Sequence, residues 1–440
     1  MRQSDFDECI SGWKKMDMKA YVFTETGKLE LRELPKPQLD NALPQDRRAA
    51  VLRPRFVSPC SSDVHTVYAG PGPRREELVL GHEGLAEIVS VGSEVKDFRP
   101  GELVAVSAVM PDVPDGNGHE NSPFSGSKLG RNIDGMWSEQ FYVPDADQNL
   151  AHIPEGVTPE QALMAADVMA TGWTAAEQAE IVPGLSVVIL GLGAIGLTAL
   201  AAAKTMGAET VIAVGSAKRT ECIALAEQFG ADCVLSYRDG KRLFERMRNE
   251  NGSFVQSGEC CSSAKSSECC SSAKSGENDR SARGGERHPS ANSTKSAAVD
   301  AILDMTGNRG ADRVIICGGG QDALAQACDI VKYGTGIVSN VAYFEGSGMI
   351  GLPIFSLGRG MAGKTFKFSF CRGGRHRLEQ MMQMIAEGNT VGRTAPIIPD
   401  FGRLVTHHLF GSSEIPHALE LMRDKPEGLI KIMVELEGWE

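Results

Sequence analysis

Two short segments carry the side chains best suited to hold a metal ion. Cys60-Ser61-Ser62-Asp63-Val64-His65 and Gly81-His82-Glu83-Gly84 bring a thiol, an imidazole and a carboxylate into one run of strands. All three are ligand types that suit zinc. Either segment alone reads equally well as packing, because a single cysteine or histidine is more often packed than ligating. Together they are far more specific and point to a metal centre.

A third segment points to a nucleotide. Gly191-Leu192-Gly193-Ala194-Ile195-Gly196 follows the apolar run 187–190 and opens a helical pattern, the context a dinucleotide fingerprint requires. Gly191 permits the tight turn, Gly193 lets the backbone approach a pyrophosphate, and Gly196 lets the helix pack closely on the strand. Ala194 and Ile195 begin the helix whose N-terminus faces the phosphate charge. The last residue of the next strand selects the cofactor, since an Asp or Glu there binds the ribose hydroxyls of NAD. That residue is Gly215. With no carboxylate to repel it, a 2′-phosphate fits beside the Ser216 hydroxyl, with Lys218 or Arg219 close enough to neutralise it. Lys218 and Arg219 also read as a solvated first helical turn, so the missing acid is the stronger signal. NADP(H) is the expected cofactor.

The elements that must position these groups fall into two patterns. Residues 19–170 read as short strands broken by Gly and Pro, among them 20–23, 29–34, 50–52 and 86–91, which favours a small β-barrel over a helical bundle. From Gly184 onward, strand, glycine turn and amphipathic helix repeat: strand 187–190, helix 194–206, strand 211–214, helix 220–229, strand 233–235. After an interruption the pattern resumes with helix 299–306, strand 313–316, helix 322–331 and strand 337–341. Such alternation makes a doubly wound parallel sheet, so the expected fold class is α/β. The expected division is an extension over 1–17, a barrel domain over 18–170, a nucleotide domain over 171–370, and a return to the barrel over 371–440.

The interruption covers roughly 248–298, where Ser, Gly, Glu, Lys and Asn dominate, a composition that cannot bury enough apolar surface to order itself. It contains a direct repeat, Glu259-Cys260-Cys261-Ser262-Ser263-Ala264-Lys265-Ser266 and Glu268-Cys269-Cys270-Ser271-Ser272-Ala273-Lys274-Ser275. Adjacent cysteines lack the two-residue gap that wraps a tetrahedral ion, so a solvated surface insertion is the better reading.

The chain has 440 residues, a length that favours two cores over one. Its net charge of −12 and lack of a basic tract argue against nucleic acid as a partner. Residues 1–17 lack the apolar run of a signal peptide or membrane span, and the folded part is expected to begin near Lys19. A cytoplasmic location is expected, without membrane association. Of the eleven cysteines, four lie in the repeat and the others sit singly, so no structural disulfide is expected.

These residues resemble the zinc-containing medium-chain alcohol dehydrogenases, and within them the NADP-dependent secondary alcohol dehydrogenases. The likeness is carried by the run from Pro59 to Val67, Gly81-His82-Glu83, the run from Val91 to Phe98, Asp145-Ala146-Asp147, Asn149-Leu150-Ala151-His152, Val214-Gly215-Ser216, Tyr237 with Asp239-Gly240, and the tail Asp424-Lys425-Pro426 with Leu429-Ile430-Lys431. It implies a GroES-like β-barrel joined to a Rossmann sheet and a homotetramer. It also implies that Cys60, His82 and Asp167 bind the catalytic zinc, with Glu83 as a fourth, displaceable ligand. Read alone, Asp167 is an acid in an apolar helix, a costly place for a charge unless a cation compensates it. Gly215, Ser216, one of Lys218 or Arg219, and Tyr237 are implied around the 2′-phosphate; Tyr343 is counted among the cofactor contacts.

Some positions depart from the family pattern. No cysteine occurs between Val104 and Val143, so the four-cysteine structural zinc lobe of many relatives is absent and one zinc per chain is expected. Two extra residues follow Ser216, which leaves the choice between Lys218 and Arg219 open. Ala86 replaces a usual glycine, and Ser127 falls where a pocket tryptophan is common, which points to a wider substrate site.

The chemistry that follows is hydride transfer between NADP(H) and a small alcohol, ketone or aldehyde, with zinc as Lewis acid on the substrate oxygen. Ser62 and then His65 are expected to relay the proton. On spacing alone each reads equally well as a turn hydroxyl or a structural histidine. A zinc-free quinone or enone reductase shares this architecture but would not need Cys60 and His82 together. A non-catalytic NADPH-binding protein is the remaining alternative, kept alive by the insertion.

Overall fold

The computed structural model describes residues 17–69, 77–110, 127–246, 296–320, 322–342, 361–369, 371–389 and 398–439. Tyr343, the Cys/Ser repeat and the first sixteen residues lie outside the described residues, as does the side chain of Ser127.

The fold is α/β, with a β-barrel region beside a parallel sheet. The barrel's larger sheet runs Leu150–His152, Leu103–Val106, Glu83–Val91, Ala50–Ser58, Lys431–Glu435 and Val405–Phe410, with Phe141–Val143 also pairing to Ala50–Ser58. A three-stranded sheet of Lys28–Pro35, Asp17–Glu25 and Leu78–Val79 closes against it. Val22, Leu52, Val57, Ile88, Val106, Trp137 and Phe141 fill the space between them and are buried. Two registers matter for the site. Ser58 pairs with Glu83, so the chain leaving one strand at Cys60 lies beside the chain entering the next at His82. Val434 pairs with Val57, which brings the C-terminal strand, with Lys431 at its start, to the same end.

The second sheet has seven strands in the order Arg242–Glu245, Cys233–Ser236, Thr210–Gly215, Ser186–Leu190, Arg313–Ile316, Ile337–Asn340 and Thr365–Phe368. Pairing is parallel except at the Arg242–Glu245 edge. The first strand in the chain order of this sheet, Ser186–Leu190, is central, so the order reverses at its C-terminal end, the switch point where such sheets bind ligands. Here the glycine turn leads into the helix Ala194–Thr205, whose face is built from small residues: Ala199, Ala201, Ala202 and Ala203 are all buried.

The strands and helices read from the sequence are present; in the nucleotide sheet their ends shift by a residue or two, whereas in the barrel the strand read as 50–52 runs on to Ser58 and those read as 20–23 and 86–91 begin three residues earlier. Three features differ from that reading. Arg242–Glu245 adds an antiparallel edge strand, returning through a turn in which Gly240 has φ 66°. Thr365–Phe368 adds the opposite edge. The helix carrying Asp167 is not continuous: Pro159–Met164 and Ala170–Gln178 are α-helical, but Ala165–Met169 between them is a π-helix. A capping box starts this run, with Thr158 Oγ1 accepting from Gln161 N and Gln161 Oε1 accepting from Thr158 N. Among the described residues, no helix is long and apolar enough to cross a membrane.

Candidate metal centre

Cys60 stands in extended backbone at the start of the helix Ser61–Tyr68. Asp63 then reaches back: its Oδ2 accepts from Cys60 N at 2.8 Å, while its Oδ1 lies 3.3 Å from His82 Nδ1. One carboxylate thus orients both segments. With Nδ1 occupied by Asp63, Nε2 is the ring atom left for other partners, and Ser62 Oγ lies 3.4 Å from it.

The loop bearing His82 is fixed from the other side. Gly81 has φ 90°, and a Cβ there would lie 2.3 Å from Trp137 Cδ1, so only glycine fits. Trp137 is fully buried, and Met136 N and Trp137 N donate to Gly81 O and Leu80 O.

Glu83 is fully buried and divided between two environments. Its Oε2 accepts from Lys431 Nζ at 2.5 Å, and the same ammonium donates to Pro59 O at 3.1 Å. Its Oε1 is buried with no hydrogen-bond partner among the described residues. Asp167, 8% exposed, comes in from the π-helix. The structure brings one ligand atom from each of Cys60, His82, Glu83 and Asp167 within 4.8 Å of one another.

The electrostatics are those of a cage short of positive charge. Burial raises the Glu83 carboxyl and Asp167 raises it further, against the lowering effect of Lys431 and His82; the net direction is up. Burial would lower the Lys431 ammonium, but Glu83 and Cys60 pull it above its ordinary value. Burial likewise opposes protonation of His82, yet Asp63 and Cys60 hold it well above the usual imidazole range. Acidic ligands packed this closely favour protons or a cation. One sulfur, one nitrogen and two carboxylates, one of them with an orphaned buried oxygen, fit a zinc ion.

At the nucleotide turn, Gly191 has φ 96°, and a Cβ on it would meet Gly318 N at 2.7 Å. A Cβ on Gly196 would lie 1.9 Å from Gly191 O, which fixes the close packing of helix on turn. Gly193 faces open space, the room a pyrophosphate needs above the helix N-terminus at Ala194 and Ile195. Gly215 is buried, and a Cβ there would lie 2.8 Å from Leu192 Cβ. The glycine is therefore also demanded by packing, a second reason for the absent acid that the sequence did not reveal.

Ser216 Oγ accepts from Lys218 N at 3.3 Å, and the Lys218 side chain is exposed. Arg219 is half-buried and its guanidinium donates to Leu429 O. Tyr237 N donates to Gly215 O, which places its exposed ring beside the same strand end, and Arg238 Nε donates to Tyr237 Oη at 2.9 Å. His65 stands half-buried one helical turn beyond Ser62.

Sequence reasoning missed four participants. Asp63 lies inside the first quoted segment, and its spacing from Cys60 is that of a capping box, a usable signal. Trp137 gave none, and Lys431 appeared only as part of the family match, its partner being distant in the chain. Lys425, in left-handed backbone at φ 47°, feels both Arg219 and Cys60: burial lowers its ammonium, Arg219 lowers it further, and Cys60 opposes both.

A barrel holding a Cys/His/Glu/Asp cage, fused to a Rossmann sheet with an intact glycine turn, defines a medium-chain dehydrogenase. Comparison with known proteins agrees. The model of the alcohol dehydrogenase GroES-like domain matches residues 46–155. The NADP-dependent isopropanol dehydrogenase of Clostridium beijerinckii is 37% identical over 88% of this chain and 93% of that protein. That of Thermoanaerobacter brockii is 36% identical over 95% and 100%. Among solved structures, the alcohol dehydrogenase TADH from Thermus sp. ATN1 superposes with a TM-score of 0.67 at 21% identity, over 96% of this chain and all of that one. The chain belongs to the zinc-containing alcohol dehydrogenase family.

Proposed function

We propose that this protein is a zinc-dependent, NADP(H)-preferring alcohol dehydrogenase that interconverts small alcohols, secondary ones foremost, with their ketones or aldehydes. The observation that carries the reading is the convergence of Cys60, His82, Glu83 and Asp167 within 4.8 Å in a chain whose second sheet bears an open glycine turn. Bound there, zinc supplies Lewis-acid polarisation of the substrate oxygen, and NADP(H) supplies hydride exchange.

The chain's own residues do the rest. Cys60, His82 and Asp167 hold the ion, and Asp63 keeps His82 oriented through Nδ1. Glu83 would be the exchangeable ligand, its Oε2 held by Lys431 and its Oε1 left without a hydrogen-bond partner among the described residues. Ser62 takes the alcohol proton and His65 passes it outward, in reverse during reduction. Gly191, Gly193, Ala194, Ile195 and Gly196 seat the pyrophosphate. Ser216 and Lys218 meet the 2′-phosphate, with Arg219, Tyr237 and Tyr343 around the nucleotide. Arg219 is the weaker partner of the two basic residues because its guanidinium is engaged by Leu429 O. Two relatives named as NADP-dependent isopropanol dehydrogenases support the choice of cofactor and secondary alcohols. We assign 18–170 and 371–440 to the barrel domain and 171–370 to the nucleotide domain, in a cytoplasmic homotetramer.

The test is a panel of short primary and secondary alcohols assayed with NADP+ and NAD+ in parallel. Turnover of propan-2-ol with NADP+ well above that with NAD+ is expected; preference for NAD+ contradicts the cofactor reading.

A further inference from the structure

Asp167 does not sit in an ordinary helix, and the residue after it is held from the nucleotide side. In the π-helix Ala165–Met169, an extra residue in the turn displaces carbonyls from their usual i→i+4 partners. The carbonyl of Val168 lies 3.1 Å from Thr198 Oγ1. Thr198 is fully buried on the helix Ala194–Thr205, two residues beyond Gly196. The approach between the helices is close: a Cβ on Gly172 would lie 2.1 Å from Thr198 Oγ1 and 2.7 Å from Ala199 N.

Thr198 Oγ1 has a second acceptor within reach, Ile195 O at 2.9 Å, in the first turn of its own helix. A hydroxyl has one proton to donate. Donation to Val168 O ties the Asp167 segment to the nucleotide helix. Donation to Ile195 O gives up that tie and keeps the hydroxyl within its own helix. A pyrophosphate docked on the first-turn amides fixes the Ile195 peptide, and with it the balance between the two bonds.

We propose that Thr198 is a positioning residue that couples occupancy of the nucleotide turn to the placement of Asp167 at the metal, through its hydrogen bond to Val168 O. The inference rests on the reading of zinc and NADP(H) binding given above. Coupling of this kind is reciprocal: NADP+ tightens the hold on zinc by the factor by which zinc tightens the hold on NADP+.

The experiment follows zinc release into excess chelator, with NADP+ absent and saturating, in the wild type, Thr198→Val and Thr198→Ser. In the wild type NADP+ slows release by about 5-fold or more, the lower end of common coupling strengths. Thr198→Val keeps the shape and removes the donor; it still takes up one zinc and NADP+, but the ratio falls below about 2-fold, under the range of common coupling strengths. Thr198→Ser restores the ratio. Amide exchange across residues 167–173 of the wild type, slowed by NADP+, reads the same coupling without a substitution. A wild-type ratio retained in Thr198→Val, or no NADP+ effect on zinc release and on exchange in the wild type, overturns the coupling and leaves the proposed function standing. A wild type that takes up neither zinc nor NADP+ overturns that function, and the coupling with it.

Discussion

Lys431 Nζ lies 2.5 Å from Glu83 Oε2, and both side chains are buried to 3% exposure or less. The pair joins the C-terminal strand to the strand carrying the metal cage, across 348 residues of chain. Removing the cation strands a buried carboxylate among others. Lys431→Met is expected to destabilise the metal-free protein by about 3–5 kcal/mol, the cost of breaking a buried ion pair from one side. Denaturant unfolding after chelation checks this, and an unchanged midpoint would show that Glu83 is already neutral.

Asp63 holds Cys60 N and His82 Nδ1 at once. Asp63→Asn removes the charge that fixes the imidazole while nearly preserving shape. Zinc affinity is expected to fall about 10–100-fold, the range for partners that orient metal-bound histidines. Competition with a chromophoric chelator measures it. Equal affinity in the two proteins would mean that packing alone orients His82.

Gly215 is asked to do two things, leave room for a 2′-phosphate and clear Leu192. Gly215→Asp is therefore expected to lower kcat/KM for NADP+ by about 10-fold or more through like-charge repulsion. It should also cost about 1–3 kcal/mol through the contact its Cβ makes 2.8 Å from Leu192 Cβ. Kinetics with both cofactors, beside thermal unfolding, separate the effects. Undiminished use of NADP+ would remove Gly215 from the cofactor argument.

Asp312 ties the nucleotide sheet together: Lys332 Nζ and Ser186 Oγ and N lie 2.5, 2.6 and 2.9 Å from its oxygens. Burial alone would raise its carboxyl, but Lys332 and Ser186 bring it below the ordinary 3.8. A lowered carboxyl adds stability that is fully present above the unfolded value and is lost as pH falls below 3.8 through the folded one. Asp312→Asn is expected to be less stable at pH 7 by about 1–3 kcal/mol, as for hydrogen bonds to a charged group. The gap to wild type should close with acidification below that point. A gap independent of pH in urea titrations would rule out the carboxylate as its source.

What could be read from the sequence was whatever local spacing controls. The glycine turn at Gly191 and the strands on either side of it depend on neighbours within a few residues, and the segments around Cys60 and His82 each show their ligand types locally although strand pairing brings them together. The π-helix at Asp167 left no trace, because Ala165-Ala166-Asp167-Val168-Met169 has the apolar pattern of a plain buried helix and the extra residue is accommodated only in three dimensions. Lys431 was visible as a family match without a role, since its partner is set by the pairing of Val434 with Val57. The strand Arg242–Glu245 is four residues long and partly exposed, too short for a period to declare itself.

The most direct test of the metal centre is the zinc content of protein purified with zinc supplied, joined to X-ray absorption at the zinc edge. The account requires one zinc per chain, with a single sulfur at about 2.3 Å and nitrogen and oxygen ligands at about 2.0–2.2 Å, and loss of that sulfur signal in Cys60→Ser. Folded protein that binds no zinc, or a shell with two or more sulfurs, would contradict it.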